Sequence, residues 1–191
     1  MRARENPFRV ERQHALRFRF PVGEDHESLL ARAAARGGRG AIVGPHGSGK
    51  TTLLLELADH LRARGHRVRE LRIGAPRHSL THGECAALSE GLGPRDAVLF
   101  DGAGHLAPWH WWSLARALRP AAFVLVSSHR AGRLPTLLRT QTSFELLREL
   151  ALELAPGLEP ERIDAAWRSA GGDLRAAWRG LFEVCAGREG G

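Results

Sequence analysis

The order of apolar and polar positions predicts that short buried strands alternate with amphipathic helices along the first three quarters of the chain. Apolar runs bounded by turn residues indicate strands, and apolar residues at helical spacing, ended by glycine, indicate the helices between them. The predicted strands are 40–43, one within 67–73, 97–101 and 120–126, with a short extended piece through 144. The predicted helices are 27–36, 50–64 and 109–118. This alternation is typical of an α/β fold around a parallel sheet.

Two segments depart from this alternation. Near the N-terminus Leu16, Phe18 and Phe20 are separated by arginines, which predicts a short half-buried strand or an extended arm within residues 1–22. Residues 74–83 contain a proline and are expected to form an exposed loop.

The last quarter of the chain has a helical pattern with two breaks, at Pro156-Gly157 and at Gly171-Gly172. Three helices are predicted, at 145–154, at 159–169 and from an Asp173 cap to 184. We therefore expect three parts: a nucleotide-binding core over 1–144 with an N-terminal arm over 1–22, a three-helix lid over 145–186 and a flexible tail over 187–191.

One stretch, Gly44-Pro45-His46-Gly47-Ser48-Gly49-Lys50-Thr51-Thr52, joins the first strand of the core to a helix. It fits the phosphate-binding pattern of a glycine, four free positions and then Gly-Lys-Thr. Its glycines let backbone N–H groups point at phosphate oxygens, and a helix N-terminus favours an anion. We expect Lys50 to reach the β- and γ-phosphates of ATP and the Thr51 hydroxyl to ligate Mg²⁺. Lys50 is also the single lysine among 28 basic residues, which favours a working phosphate site.

Polar residues follow two later strands. Asp101 ends the apolar run 97–100, and a carboxylate at this point is expected to hold the water shell of Mg²⁺ beside Thr51. The strand 120–126 ends in Ser127-Ser128, which is expected to lie near the γ-phosphate.

The composition fits a soluble globular protein, with 43% hydrophobic residues. No apolar run is long enough to span a bilayer, and the N-terminus does not resemble a secretory signal, so the cytoplasm is the expected location. The two cysteines, Cys85 and Cys185, have no ligand spacing around them, which indicates a reduced compartment and no zinc site.

The net charge of +7 suggests an acidic partner, nucleic acid included. A cluster of tryptophans at the start of the helix 109–118 has two interpretations. Together with its histidines it resembles a metal or base-stacking site, but packing in a core or against a protein partner is more usual for such clusters. The cluster comprises His105, Trp109, His110, Trp111 and Trp112.

With these motifs in place the chain resembles the AAA+ ATPases, and most closely the compact core of clamp-loader and origin-type members. The resemblance rests on four pieces, which are the phosphate-binding stretch, 100–106, 126–128 and 172–177. It implies a P-loop NTPase three-layer sandwich with a parallel sheet, followed by a small all-α lid, and a protein that binds ATP and Mg²⁺ between core and lid.

The resemblance also implies roles for four residues. Ser127 or Ser128 is the sensor-one candidate, and Arg175 is the sensor-two candidate from the lid. Arg139 is the candidate arginine finger, which would act on the nucleotide of a neighbouring subunit and so implies self-association.

The chain departs from the family pattern at Gly102, where the family usually has the glutamate that orients the attacking water. His105 or Glu84 are possible substitutes. Three hypotheses follow: an ATPase that couples nucleotide state to lid movement or to assembly with a protein or DNA partner, a non-hydrolysing or very slow ATP-dependent switch, and a small nucleoside or metabolite kinase.

Overall fold

The computed structural model describes residues 6–9, 12, 15–74 and 79–187. They form two compact units. An α/β unit comprises Phe18–Gly44 and Gly49–Thr140. A helical unit comprises the described residues up to Arg17, the segment Pro45–Ser48 and the described residues from Gln141 onward.

The α/β unit is built on a sheet of five parallel strands in the order β2-β3-β4-β1-β5. The strands are β1 (Arg39–Val43), β2 (Arg67–Arg72), β3 (Asp96–Asp101), β4 (Phe123–Ser128) and β5 (Thr136–Arg139). This confirms the predicted α/β fold with a parallel sheet. Because β4 lies between β1 and β3, the carboxyl ends of these three strands meet at one edge of the sheet.

Helices cover both faces of this sheet, which gives the expected three layers. Their bounds are α1 (His26–Ala34), α2 (Lys50–Ala63), α3 (His82–Ser89) and α4 (Pro108–Ala117). The alternating residues of each strand separate into two cores. One core contains Ile42, Leu99 and Leu125 with leucines of α1 and α2, and the other contains Val43, Phe100 and Val126 with Leu88, Trp111 and Leu114.

The helical unit contains α5 (Phe144–Leu154), α6 (Pro160–Ser169) and α7 (Leu174–Cys185), close to the predicted bounds. Its core includes Leu147, Ile163 and Leu181. The beginning of the chain joins this core: the Phe8 ring lies 5.5 Å from that of Trp178, and the buried Asn6 amide donates to the carbonyl oxygen of Phe182 at 2.7 Å.

One local prediction was wrong, and one of two alternatives was excluded. The loop expected over 74–83 ends early, because α3 begins at His82 behind a capping box between Thr81 and Glu84; residues 75–78 lie outside the described residues. Of the strand and the extended arm predicted around Leu16, Phe18 and Phe20, the strand is excluded, since 17–20 carries no regular secondary structure. The Phe18 N–H donates to Glu56 Oε1 at 2.9 Å instead.

The expected flexible tail falls almost wholly outside the described residues, as does the start of the arm. Within the part of the chain that is described, no helix combines the length and apolar character needed to cross a membrane.

Candidate functional site

The phosphate-binding stretch leaves β1 at Gly44 and enters α2 at Lys50. Gly47 and Gly49 adopt φ values of +75° and +80°, a left-handed conformation that side chains other than glycine rarely accept. Space is also short at both positions. An ideal Cβ on Gly49 would lie 2.9 Å from the Phe18 ring, and one on Gly47 would lie 2.9 Å from the backbone nitrogen of Arg175. Gly47 and Gly49 are therefore required both by their positive φ and by the lack of space for a side chain.

The other residues of the stretch occupy distinct environments. Pro45 and His46 are exposed, whereas Ser48 is buried and its hydroxyl donates to the Pro45 carbonyl at 2.9 Å. Thr51 and Thr52 are half-buried in the first turn of α2. The exposed backbone at the turn and the N-terminus of α2 are the features that bind anions.

Lys50 is buried, with only 8% of its surface exposed. Its Nζ donates to the Gly44 carbonyl at 2.8 Å, and His129 Nδ1 lies 3.2 Å from the same oxygen. A lysine ammonium has three donors and a full positive charge, which suit it to phosphate oxygens.

Asp101 accepts hydrogen bonds from three side chains. Its Oδ2 accepts hydrogen bonds from Thr51 Oγ1 and from Arg72 Nε, both at 2.8 Å, and its Oδ1 accepts one from the Ser127 hydroxyl. Burial alone would raise the pKa of Asp101, but the hydrogen bonds from Ser127, Thr51 and Arg72 outweigh it and hold the pKa below its ordinary value. Asp101 is therefore an anion at neutral pH.

The two candidate serines have different partners. Ser127 accepts a hydrogen bond from the Gly102 N–H at 2.9 Å and donates to Asp101. The Ser128 hydroxyl donates to the Arg130 carbonyl at 2.7 Å. Of the two, the structure brings Ser127 to the carboxylate.

Gly102 has a structural role of its own. Its φ is +92°, and an ideal Cβ would lie 2.1 Å from the carbonyl oxygen of Ile73. A glutamate at this position would therefore require the backbone to move. Since the family glutamate has no space here, its absence is tied to the local backbone.

The two residues considered as substitutes for that glutamate lie in different places. Glu84 accepts from the N–H and hydroxyl of Thr81 at the start of α3, so its carboxylate serves the capping box. His105 ends a 3₁₀ turn after Asp101, and its ring lies 5.7 Å from that of His129.

The two candidate arginines are both exposed. Arg139 ends β5, where it pairs in register with Val43. Arg175 is the second residue of α7, and its N–H donates to the Asp173 carboxylate at 2.8 Å.

Arg72 was not foreseen from the sequence. It reaches Asp101 because the two residues are register partners on β2 and β3, and strand register is not readable from a single sequence.

The residues present fit a magnesium–nucleotide complex. Thr51 and Asp101 offer a hydroxyl and a carboxylate oxygen within 2.8 Å of each other, and Mg²⁺ prefers such oxygen ligands. The glycine turn, the N-terminus of α2 and Lys50 fit a triphosphate.

The order of the strands identifies the fold of the α/β unit. The chain has the AAA+ P-loop ATPase fold, as comparison with solved structures shows. The match with the RuvB Holliday junction branch migration motor of Thermotoga maritima covers 83% of this chain, with a TM-score of 0.56 and 20% identity. DnaA from Aquifex aeolicus, bound to AMPPCP, matches over 83% with a TM-score of 0.51 and 17% identity.

A DNA replication initiation factor matches over 90% of the chain, with a TM-score of 0.55 and 17% identity. At these identities the similarity is one of fold. The chain spans 59% of the matched RuvB chain, 61% of DnaA and 64% of the initiation factor. No protein-family model matches the sequence, and no curated protein matches it either.

Proposed function

We propose that this protein binds ATP with Mg²⁺ and uses the nucleotide state to control lid movement or assembly with a partner, in the cytoplasm. The observation that carries the proposal is the grouping of Lys50, Thr51 and Asp101 at the carboxyl ends of β1 and β3. Lys50 would bind the phosphates, Thr51 would ligate the metal ion and Asp101 would hold its water shell. The fold shared with AMPPCP-bound DnaA supports a nucleotide ligand.

Hydrolysis is proposed to be slow. An attacking water needs an orienting group, and contributions of this kind are worth roughly two to four powers of ten in rate. Gly102 supplies no side chain, and Glu84 is engaged in the capping box of α3. This arrangement favours either slow turnover or a switch that binds ATP without hydrolysing it.

The remaining family roles are proposals of the same kind. Ser127 is the better supported sensor-one residue because it contacts Asp101, and Ser128 beside it is the alternative. Arg175 is proposed as sensor two, because its backbone lies close to Gly47 of the phosphate-binding stretch. Arg139 is proposed to act on the nucleotide of a neighbouring copy.

Steady-state phosphate release, measured beside equilibrium ATP binding on the same preparation, tests this function. We expect micromolar to millimolar ATP affinity with turnover far below the 1–1,000 per second that is typical of enzymes. Brisk turnover would contradict slow hydrolysis, whereas absence of ATP binding would contradict the function itself. The Ser127→Ala and Ser128→Ala variants separate the two serines, since only loss of Ser127 is expected to reduce Mg²⁺-dependent binding.

The partner is proposed to be a protein with an acidic and partly apolar surface. Trp109 and Trp112 lie three residues apart on α4, so they share a face, and they are 69% and 74% exposed. Arg116 continues this face and Arg119 lies just beyond the end of the helix; both are exposed as well. Exposed tryptophan beside arginine is the composition of a protein-binding hot spot.

The charge around this face supports an anionic partner. The sequence from 102 to 144 contains no aspartate or glutamate, but it contains five arginines. We favour a protein over nucleic acid because only Arg116 on α4 and Arg119 just beyond it accompany the tryptophans, whereas phosphate-driven binding usually uses six to ten contacts.

A Trp109→Ser, Trp112→Ser double variant tests this surface. Both side chains are exposed, so stability should be unchanged, and binding to polyglutamate-rich peptides with interspersed leucines should fall at least about tenfold. Trp111→Ser, at a buried position of the same helix, should instead destabilise the fold. Equal peptide binding by the double variant would contradict the proposal, and selective loss of single-stranded DNA binding would assign the surface to nucleic acid.

A further inference from the structure

Arg72 makes an ion pair with Asp101, the carboxylate that the proposed nucleotide site uses for Mg²⁺. It ends β2, and its Nε donates to Asp101 Oδ2 at 2.8 Å. The same oxygen accepts the Thr51 hydroxyl at 2.8 Å, while the other carboxylate oxygen accepts Ser127. Asp101 is therefore already engaged by a positive charge at the point where Mg²⁺ and its water shell would be held.

The chemistry of this oxygen makes the two cations competitors. A carboxylate oxygen has about two lone-pair sites, and Oδ2 uses them for Thr51 and Arg72. The Ser127 hydroxyl also donates a hydrogen bond to Asp101, but Ser127 is neutral and does not repel a metal ion. Arg72 is thus the contact of Asp101 that brings a full positive charge, and like charges repel at this distance.

We infer that Arg72 competes with Mg²⁺ for Asp101 and so sets the Mg²⁺ concentration at which this site binds nucleotide. The inference rests on the proposed function, because it concerns the metal that accompanies ATP. In this arrangement Arg72 is paired with the Asp101 carboxylate when Mg²⁺ is scarce. When Mg²⁺ and nucleotide bind together, the metal ion replaces Arg72 at that carboxylate. The coupling is reciprocal, so tighter metal binding also means tighter nucleotide binding.

The surroundings of Arg72 allow it to leave. Its side chain is 60% exposed, whereas that of Asp101 is only 16% exposed. A cleft of about 260 Å³ adjoins both residues and is lined on its other sides by Leu54, Glu70 and Leu71. Ion pairs with an exposed partner are weak, and removing one typically changes an equilibrium by no more than about fivefold.

The opposite end of the same strand pair supplies a matched control. β2 and β3 pair with Arg67 opposite Asp96 at one end and Arg72 opposite Asp101 at the other. Arg67 Nη2 lies 2.9 Å from Asp96 Oδ2, and Arg67 is 71% exposed. The Arg67–Asp96 pair therefore repeats the chemistry of the Arg72–Asp101 pair at the far end of the strands.

The test is a titration of Mg²⁺ at fixed fluorescent ATP analogue, with the intact wild-type chain and the Arg72→Gln, Arg72→Lys and Arg67→Gln variants. The readout is the Mg²⁺ concentration at half-maximal nucleotide binding, so no turnover is needed. We expect Arg72→Gln to lower this concentration about two- to fivefold. Arg72→Lys keeps the charge and should stay closer to wild type, and Arg67→Gln should not differ from wild type.

Each outcome decides the question. An unchanged or higher Mg²⁺ requirement in Arg72→Gln would overturn the inference, as would an equal decrease in Arg67→Gln. Weaker nucleotide binding by both Arg72 variants at saturating Mg²⁺ would assign Arg72 to the phosphates instead and would also overturn it. If the wild-type chain binds no nucleotide at any Mg²⁺ concentration, the proposed function fails first, which distinguishes that failure from failure of the Arg72 inference alone.

Discussion

Gly102 occupies a position that no other residue fills without strain. Its φ of +92° costs an L-residue about 1–2 kcal/mol, and its Cβ would meet the Ile73 carbonyl at 2.1 Å. This explains in physical terms why the chain lacks the family glutamate here. In the proposed ATP site, the backbone path after Asp101 therefore limits which residue could stand next to it to orient a water.

We predict that Gly102→Ala lowers the free energy of unfolding by about 2 kcal/mol or more, as measured by urea denaturation. Gly65→Ala is the control, because Gly65 has a similar φ of +84° but nothing lies within 4 Å of its Cβ position. It should cost only the backbone strain, about 1 kcal/mol. Equal losses in the two variants would show that the Ile73 carbonyl does not restrict this position. A glutamate at Gly102 should destabilise at least as much as alanine.

Asp101 should make stability depend on pH. Its pKa is held below the ordinary value, so its ionised form stabilises the folded state at neutral pH, and this contribution is lost as pH falls through the depressed pKa. We predict that wild type is more stable than Asp101→Asn at neutral pH. The difference should shrink below the ordinary aspartate pKa of about 4. A difference between the two unfolding curves that is constant with pH would contradict this.

Part of the site was predictable from the sequence and part was not. Thr51 and Asp101 follow from local patterns. Thr51 belongs to the phosphate-binding pattern at the start of α2, and Asp101 ends the apolar run of β3. The choice between Ser127 and Ser128 was not predictable, because it depends on which hydroxyl points toward β3. The contact of Arg72 and the space at Gly102 depend on register and on backbone path, which periodicity does not encode.

Among the elements, β1 to β4 and the long helices were predictable to within about three residues. The strand β5 was indicated only within a longer extended piece, and α3 was missed. The sequence of α3 shows little helical periodicity for a physical reason. Only Leu88 is buried on this helix, so the helix has almost no apolar stripe. The signal that identifies it is the capping box, in which Thr81 and Glu84 are three residues apart.

The last helix, α7, depends on its N-cap. The Asp173 carboxylate accepts hydrogen bonds from the N–H groups of Arg175 and Ala176, which would otherwise be unpaired at the helix start. We predict that Asp173→Ala lowers the free energy of unfolding by about 0.5–2 kcal/mol. Asp164→Ala, which removes an exposed ion pair with Arg168, should cost at most about 0.5 kcal/mol. Circular dichroism in urea measures both, and equal losses would contradict a capping role.

At the scale of the whole molecule, the proposed role of Arg139 would link self-association to ATP hydrolysis. If Arg139 acts on a neighbouring copy, a mixture of Lys50→Ala and Arg139→Ala chains should recover phosphate release that neither variant has alone. Lys50→Ala would then supply the arginine, and Arg139→Ala would supply the nucleotide site. Turnover in the mixture no higher than in either variant alone would contradict a role in trans.

We predict that nucleotide binding by the whole protein depends on Lys50, the one lysine of the chain. Titration calorimetry of ATP with Mg²⁺ into wild type and Lys50→Ala tests it most directly, with Arg64→Ala at the opposite end of α2 as the control. We predict one site in wild type and in the control. Lys50→Ala should bind at least about tenfold more weakly, because it loses a charged hydrogen bond to phosphate. No heat of binding in wild type, or equal affinity in Lys50→Ala, would contradict the proposed function.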